Sequence, residues 1–236
     1  MPEKKTSWPG MLIAALMTLP AWASEAPDIV GAASDPDTGS LLYLEHYYCD
    51  QDALNCSVLY LRPDESLIAS KQINYQNSLQ APQLVFKDLR NERELRISPP
   101  QDPDLVFDAG FDNFVRLRWD SLEGGKAVKF PFLLLDRDKP ITMRASEDRE
   151  QRCRATELCL QVRLDSWLLA ALIEPIELTY DRDDQRLRRF KGLSNLKSDS
   201  GKSQQVEILY NYRDEGQGAS EYSHQGGSKR LYSASA

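Results

Sequence analysis

The 236-residue sequence predicts a mostly β fold with two short helices: a curved antiparallel sheet or half-barrel with a helix packed on its concave face. Three observations support this fold class. Apolar and polar residues alternate with period two along many segments, turn-forming residues separate these segments, and helical spacing occurs in only two places.

The first residues predict a cleavable secretory signal peptide. Lys4 and Lys5 give a positively charged start, and an apolar run covers 11–19. Ala21 and Ala23 then supply small residues at the two positions that a signal peptidase recognises. The run is shorter than the roughly 20 residues that cross a bilayer as a helix. We therefore expect residues 1–23 to be removed and the protein to reach the periplasm without a transmembrane anchor.

A flexible N-terminal segment is predicted over residues 24–39, followed by a single β-rich domain over 40–212. Alternation of apolar and polar residues is typical of antiparallel strands with one packed and one solvated face. The clearest alternation covers 128–134, 158–164, 176–180 and 206–212. Further strands are predicted at 41–48, 57–61, 67–75, 83–88, 93–97, 141–146 and 186–192.

Two helices and a polar tail complete the prediction. The first helix is expected over 112–123, where Val115, Trp119 and Leu122 recur at helical spacing. The second, over 166–173, is apolar on every side, which indicates either a buried turn or an apolar lid. Residues 213–236 have almost no aliphatic side chains and predict a disordered tail.

Four cysteines form two closely spaced pairs, Cys49 with Cys56 and Cys153 with Cys159. An even number of cysteines in an exported chain indicates disulfides, and each local bridge would contribute about 2.5 kcal/mol in the chain-entropy treatment. Local pairing is favoured, although crossed pairing stays open at this stage. Neither spacing is that of a zinc site, and we predict no metal and no cofactor.

The composition argues against nucleic-acid binding, because the chain has a net charge of −7 whereas domains that bind nucleic acids usually carry a basic surface. One local exception is a basic run over 182–191 that includes Arg188 and Arg189. It could meet an anionic headgroup or an acidic partner, but a solvated strand face is the favoured interpretation.

No catalytic residues can be assigned from the sequence. The segment 192–196 lacks the second glycine of a nucleophile elbow, and His46 is the only histidine before the tail. The segment that begins at Asp35 starts like a calcium loop but lacks that motif's glycine and final glutamate. Whether the protein is an enzyme is left open, and a non-enzymatic role is favoured.

Several short phrases spread over residues 41–212 resemble a group of uncharacterised exported proteins of proteobacteria. The resemblance implies a periplasmic setting and carries over no activity and no site residue. The phrases that carry it are Ile68–Lys71, Ala81-Pro82, Asp88–Arg90, Phe107–Asp112, Phe114–Arg116, Leu178–Asp181 and Gly192–Asn195.

The favoured functional hypothesis is a periplasmic binding or carrier module for an apolar, lipid-like or amphiphilic ligand. Its motivation is the supply of aromatic and aliphatic residues on the strands, and the candidate binding residues are Trp119, Trp167, Arg188 and Arg189. Two alternatives remain at this stage. One is a structural or interaction protein of the cell envelope, and the other is an enzyme with an unconventional site around His46.

Overall fold

The computed structural model describes residues 26–100, 102–134, 139–151, 153–166 and 174–213. The predicted signal peptide, the apolar turn from Trp167 to Ile173 and nearly all of the predicted tail lie outside the described residues. Within the described residues, no helix is both long enough and apolar enough to cross a membrane.

Thirteen strands form one sheet in the described part of the chain, which confirms the prediction of a mostly β fold. The strands are β1 (Ile29–Ser34), β2 (Leu41–Cys49), β3 (Asn55–Leu61), β4 (Leu67–Asn74), β5 (Gln83–Asp88), β6 (Arg93–Ile97), β7 (Val106–Phe107), β8 (Val128–Leu133), β9 (Ile141–Glu147), β10 (Glu157–Leu164), β11 (Ile176–Asp181), β12 (Leu187–Leu193) and β13 (Gln205–Tyr212). Their order across the sheet is β6-β5-β4-β3-β2-β1-β13-β12-β11-β10-β9-β8-β7. Among the strands that the structure describes, only the β7–β8 pair is parallel, and β6 and β7 form the two edges of an open sheet.

The core lies on one face of this sheet. Directly paired residues of neighbouring strands point to the same side. One such row crosses six adjacent strands from β10 to β2 and is apolar throughout: Leu160, Leu178, Phe190, Ile208, Ala33 and Tyr43. We call this side the inner face.

The two ends of the sheet approach each other. Leu105 and Phe107, at the β7 edge, share a core cluster with Phe86 of β5, and the Phe107 amide donates a 2.8 Å hydrogen bond to the Gln80 carbonyl. In a flat sheet β7 and β5 would lie about 50 Å apart, since neighbouring strands are about 4.8 Å apart. The sheet must therefore curl toward its inner face.

The helical segment between β7 and β8 differs from the single predicted helix over 112–123. It consists of α1 (Gly110–Leu117) and α2 (Trp119–Glu123), because Arg118 leaves the helical conformation at φ −111° and ψ 14°. The break leaves apolar residues of both helices buried in the core cluster that holds the inner-face residues of β8–β11. The finer prediction, a half-barrel with a helix on its concave face, stays a prediction.

Strand β1 corrects the prediction of a flexible segment over 24–39. Ile29–Ser34 is short and rich in small residues, so its own alternation is weak. It is nevertheless extended in the middle of the sheet because β2 and β13 pair with it on both sides. Those partners are remote from each other in sequence, which is why local patterning missed the strand.

Both disulfides join neighbours in sequence, Cys49 to Cys56 and Cys153 to Cys159, as the favoured local pairing predicted. Cys49 and Cys56 are also direct partners across the β2–β3 ladder. The first bridge therefore closes the end of that hairpin.

Candidate functional site

A buried carboxyl group lies on the inner face among tyrosines. Glu45, in the middle of β2, is 5% exposed. Its Oε2 accepts hydrogen bonds from the hydroxyl of Tyr47 at 2.7 Å and from the hydroxyl of Tyr210 at 3.3 Å. Among the described residues none donates to its other oxygen, Oε1. The carboxyl group thus has one oxygen held by the protein and one available to a further donor or cation.

The approach of Tyr210 to Glu45 depends on a glycine. Gly31 of β1 is the direct partner of Tyr210 on one side and of Glu45 on the other. A Cβ at Gly31 would lie 2.9 Å from Cε1 of Tyr210, closer than carbon atoms pack. The missing side chain lets the tyrosine ring cross β1 and reach the carboxyl group two strands away.

Next to this group lies a buried ion pair. The Lys71 ammonium donates to Oδ1 of Asp108 at 2.6 Å, and the two side chains are 6% and 1% exposed. The other Asp108 oxygen accepts a 2.8 Å hydrogen bond from the Asn195 amide. Lys71 also lies 6.0 Å from the ring centroids of Tyr60 and Phe86. This part of the core therefore holds one cation and two carboxyl groups.

Burial dominates the electrostatics of these groups. Loss of solvation is the largest cause of a raised pKa at Glu45, and the nearby Lys71 and the tyrosine hydroxyls only partly oppose it. Loss of solvation also raises the pKa of Tyr47 and Tyr210 well above the usual value. Yet both tyrosines keep part of their surface accessible. Tyr47 and Tyr210 therefore border the buried Glu45 while part of their own surface stays accessible.

We name this part of the inner face the tyrosine recess and define it by four part-exposed residues, Tyr47, Tyr75, Tyr210 and Tyr212. The Tyr47 and Tyr210 rings pack edge to face with centroids 6.3 Å apart. Tyr212 and Tyr47 are the two cross-strand partners of the same β1 residue, Ile29. Tyr75 follows β4, and its hydroxyl donates to the Ala109 carbonyl at 3.5 Å. Glu45 is more buried than the two tyrosines that donate hydrogen bonds to it.

Helix α1 contributes a charged pair to the recess. Asp112 and Arg116 form an i,i+4 ion pair, and both act electrostatically on Tyr75 and on Tyr212. The pair therefore lies near both rings. Burial raises the pKa of Asp112, whose Oδ1 has no hydrogen-bond partner among the described residues.

Two arginines of the basic run reach the same region. The guanidinium carbons of Arg186 and Arg188 lie 4.9 Å and 5.4 Å from the Tyr212 ring centroid. Arg188 also pairs with Asp184 at 2.7 Å and with Asp181 at 3.3 Å. The edge of the recess thus combines aromatic surface with paired charges.

The structure separates the residues that the sequence suggested for binding. Trp119 is 5% exposed and packs against Tyr180 with ring centroids 5.9 Å apart, so it belongs to the core. Arg188 lies at the recess edge, whereas Arg189 points to the opposite face and pairs with Glu177 and Glu207. Trp167 lies outside the described residues.

His46 does not join the site. As the neighbour of Glu45 on β2 it points to the opposite face of the sheet, where its cross-strand partners are Val30 and Leu59. Burial lowers its pKa. In the described parts of the chain, no group of three or more His, Cys, Asp or Glu side chains could hold a metal ion.

A concavity lies at the β5–β6 hairpin. It is a surface cleft of about 500 Å³ lined mainly by polar and charged residues, including Asp88, Glu92, Arg93 and Lys197. Asp88 pairs with Arg90 at 3.2 Å, and Arg90 in turn pairs with Asp199 at 3.0 Å. The cleft lacks the aromatic surface of the tyrosine recess and is the weaker candidate for an amphiphilic ligand.

The residues of this site were missed in the sequence, although part of the signal was present. Alternation along β2 places Tyr43, Glu45 and Tyr47 on one face, and a glutamate between tyrosines on an apolar face marks a buried polar site. The contribution of Tyr210, 165 residues away from Glu45, has no local signal.

Gly31→Ala tests the geometry of the recess. The new methyl group must displace the Tyr210 ring, and we expect the free energy of unfolding to fall by about 1–3 kcal/mol in urea titrations. In a Tyr210→Leu background the same substitution should cost less, because no ring crosses β1. An equal cost in both backgrounds would contradict the proposed crossing.

Glu45→Gln should change how stability depends on pH. Because burial raises the pKa of Glu45, the folded protein keeps this proton at pH values where the unfolded chain has lost it. Its contribution to stability is complete below the ordinary value of 4.5 and is lost as pH rises through the folded-state value. Wild type should therefore lose stability relative to Glu45→Gln as pH rises above 4.5.

Urea unfolding of both proteins across a pH series checks this expectation. Asp112, whose pKa is raised, and His46, whose pKa is lowered, titrate in both proteins and cancel in the difference. A difference in stability that does not vary with pH would show that Glu45 is not desolvated in the folded state.

No protein-family profile, curated protein or solved structure matches the chain.

Proposed function

We propose that the protein is a non-enzymatic binding module that takes an amphiphilic ligand into the tyrosine recess. One observation carries the proposal. Tyr47 and Tyr210 remain partly accessible on the inner face, while their hydroxyls converge on the buried Glu45. The site therefore offers apolar ring surface and a polar anchor to the same ligand.

The chemistry of the lining supports an amphiphile rather than a purely polar or purely apolar ligand. Ligand sites combine mostly apolar walls with a few convergent polar groups that fix orientation. Here the rings of Tyr47, Tyr210 and Tyr212 supply the walls, and Glu45 supplies the convergent group. Tyrosines suit this role because each joins an apolar body to a polar tip.

The proposed setting is the periplasm. Two disulfides suit an oxidising compartment. The predicted signal peptide over 1–23 and the resemblance to exported proteobacterial proteins point the same way, and both belong to the proposal. A catalytic role centred on His46 finds no support, because its side chain lies on the other face from the recess.

Native mass spectrometry of the protein purified from the periplasm of a bacterial host tests the proposal. We expect a bound small molecule that octyl glucoside, a neutral amphiphile, displaces. Calorimetric titration of the emptied protein with octyl glucoside below its micellar concentration should then give saturable binding at one site. Absence of both a bound species and saturable binding would overturn the proposal.

Matched variants locate the binding. Tyr210→Ser removes a wall of the recess and should weaken binding of octyl glucoside. Leu193→Ser is the control. Leu193 follows Gly192 of the inner face, so its side chain points to the opposite face, where it is 55% exposed. This substitution should leave binding unchanged. Equal losses in the two variants would indicate adsorption to exposed apolar surface.

A further inference from the structure

We infer that the tyrosine recess selects organic cations, so that the ligand carries an ammonium headgroup for which Glu45 is the counter-charge. The inference rests on the proposed function and adds the charge of the ligand. Three features support the inference: the balance of buried charge near Glu45, the Glu45 oxygen that accepts no hydrogen bond from the described residues, and the tyrosine rings next to this carboxyl group.

The buried polar groups hold an excess of negative charge when all are ionised. Lys71 and Asp108 neutralise each other at 2.6 Å, and Asn195 occupies the second Asp108 oxygen. Among the described residues, Glu45 is then left with two neutral hydroxyl donors and no cation of its own. A buried carboxylate without a cation is costly, so a bound cation would recover free energy that the empty protein lacks.

The charges at the edge of the recess do not reverse this balance. Arg116 pairs with Asp112, and Arg188 pairs with Asp181 and Asp184. Arg186 has Asp184 within 3.6 Å. These arginines pair with carboxylates of their own, whereas one Glu45 oxygen accepts no hydrogen bond from the described residues.

The aromatic lining suits a cation as well. An ammonium group over a tyrosine face gains electrostatic attraction from the ring, and desolvated sites gain more than exposed ones. The core already uses this contact, since the Lys71 ammonium lies 6.0 Å from the ring centroids of Tyr60 and Phe86. Tyr47 and Tyr210 provide comparable rings with accessible surface next to Glu45.

Calorimetric titration with three amphiphiles of the same chain length tests the inference. The probes are octyltrimethylammonium, octyl glucoside and octyl sulfate, each below its micellar concentration. We expect the cationic probe to bind at least about ten-fold more tightly than the neutral one, equivalent to 1.4 kcal/mol, and the anionic probe to bind most weakly. Equal affinities, or preference for the anion, would overturn the inference and leave the proposed function standing.

Variants then assign the selectivity to Glu45. Glu45→Gln keeps the shape of the side chain and should reduce the affinity for octyltrimethylammonium to that for octyl glucoside. Glu150→Gln removes the same charge from an exposed turn position and should leave the ten-fold preference intact. A preference that survives Glu45→Gln would overturn the assignment. Failure of all three probes to bind wild type would overturn the proposed function itself.

Discussion

Lys71→Ala is expected to lower the free energy of unfolding by about 3–5 kcal/mol, because it leaves a buried carboxylate without its cation. The Asp108 side chain is 1% exposed, so bulk solvent does not compensate for the lost ammonium group. The substitution also removes the cation from the rings of Tyr60 and Phe86. Urea unfolding followed by circular dichroism measures the change.

A surface ion pair provides the matched control. Lys129 contacts Asp165 at 2.8 Å, but its side chain is 63% exposed. Exposed pairs of this kind contribute at most about 1 kcal/mol, so Lys129→Ala should have a small effect. Comparable effects of Lys71→Ala and Lys129→Ala would mean that the Lys71–Asp108 pair is not desolvated in the folded protein.

Gly110→Ala is expected to destabilise the protein by about 3 kcal/mol or more, although alanine is the better helix former. A Cβ at Gly110 would lie 2.0 Å from the Gln80 carbonyl oxygen and 2.3 Å from its carbon, and both are backbone atoms that cannot rotate away. The start of α1 would have to move off the segment that receives the Phe107 amide. The two ends of the curled sheet would then lose part of their connection.

Gly39→Ala separates steric conflict from backbone strain. Gly39 has φ +69°, and no atom of the described residues lies within 4 Å of a Cβ built there. Alanine there meets only the cost of the left-handed conformation, about 1–2 kcal/mol. A loss at Gly110 no larger than the loss at Gly39 would contradict the close packing of α1 on Gln80.

The predictable part of the fold came from local alternation. In segments such as 158–164 and 206–212 the alternation of apolar and polar residues predicts which side chains face the core, and both segments form strands as predicted. Ile29–Ser34 alternates only weakly, since its middle residues are Gly and Ala. It becomes a strand through pairing with β2 on one side and with the remote β13 on the other. The break at Arg118 likewise depends on what α1 and α2 pack against.

In the candidate site, too, some features are predictable from the local sequence and others depend on the three-dimensional fold. Alternation along β2 is sufficient to place Glu45 on the apolar face, so a buried carboxyl group was predictable in principle. The arrival of Tyr210 through the gap at Gly31, and of Asp108 beside Lys71, depends on strand order and on the curl of the sheet. Neither is encoded in any short stretch of sequence.

The most direct measurement of the central claim is the set of tyrosine ring resonances in the NMR spectrum as octyl glucoside is added. Binding in the recess predicts saturable shifts of the Tyr47, Tyr210 and Tyr212 rings, together with the amide of Gly31. The exposed side chains of Leu89 and Leu193, which are 53% and 55% exposed, should not shift. Shifts concentrated on these leucines, or unchanged tyrosine rings at saturation, would contradict the account.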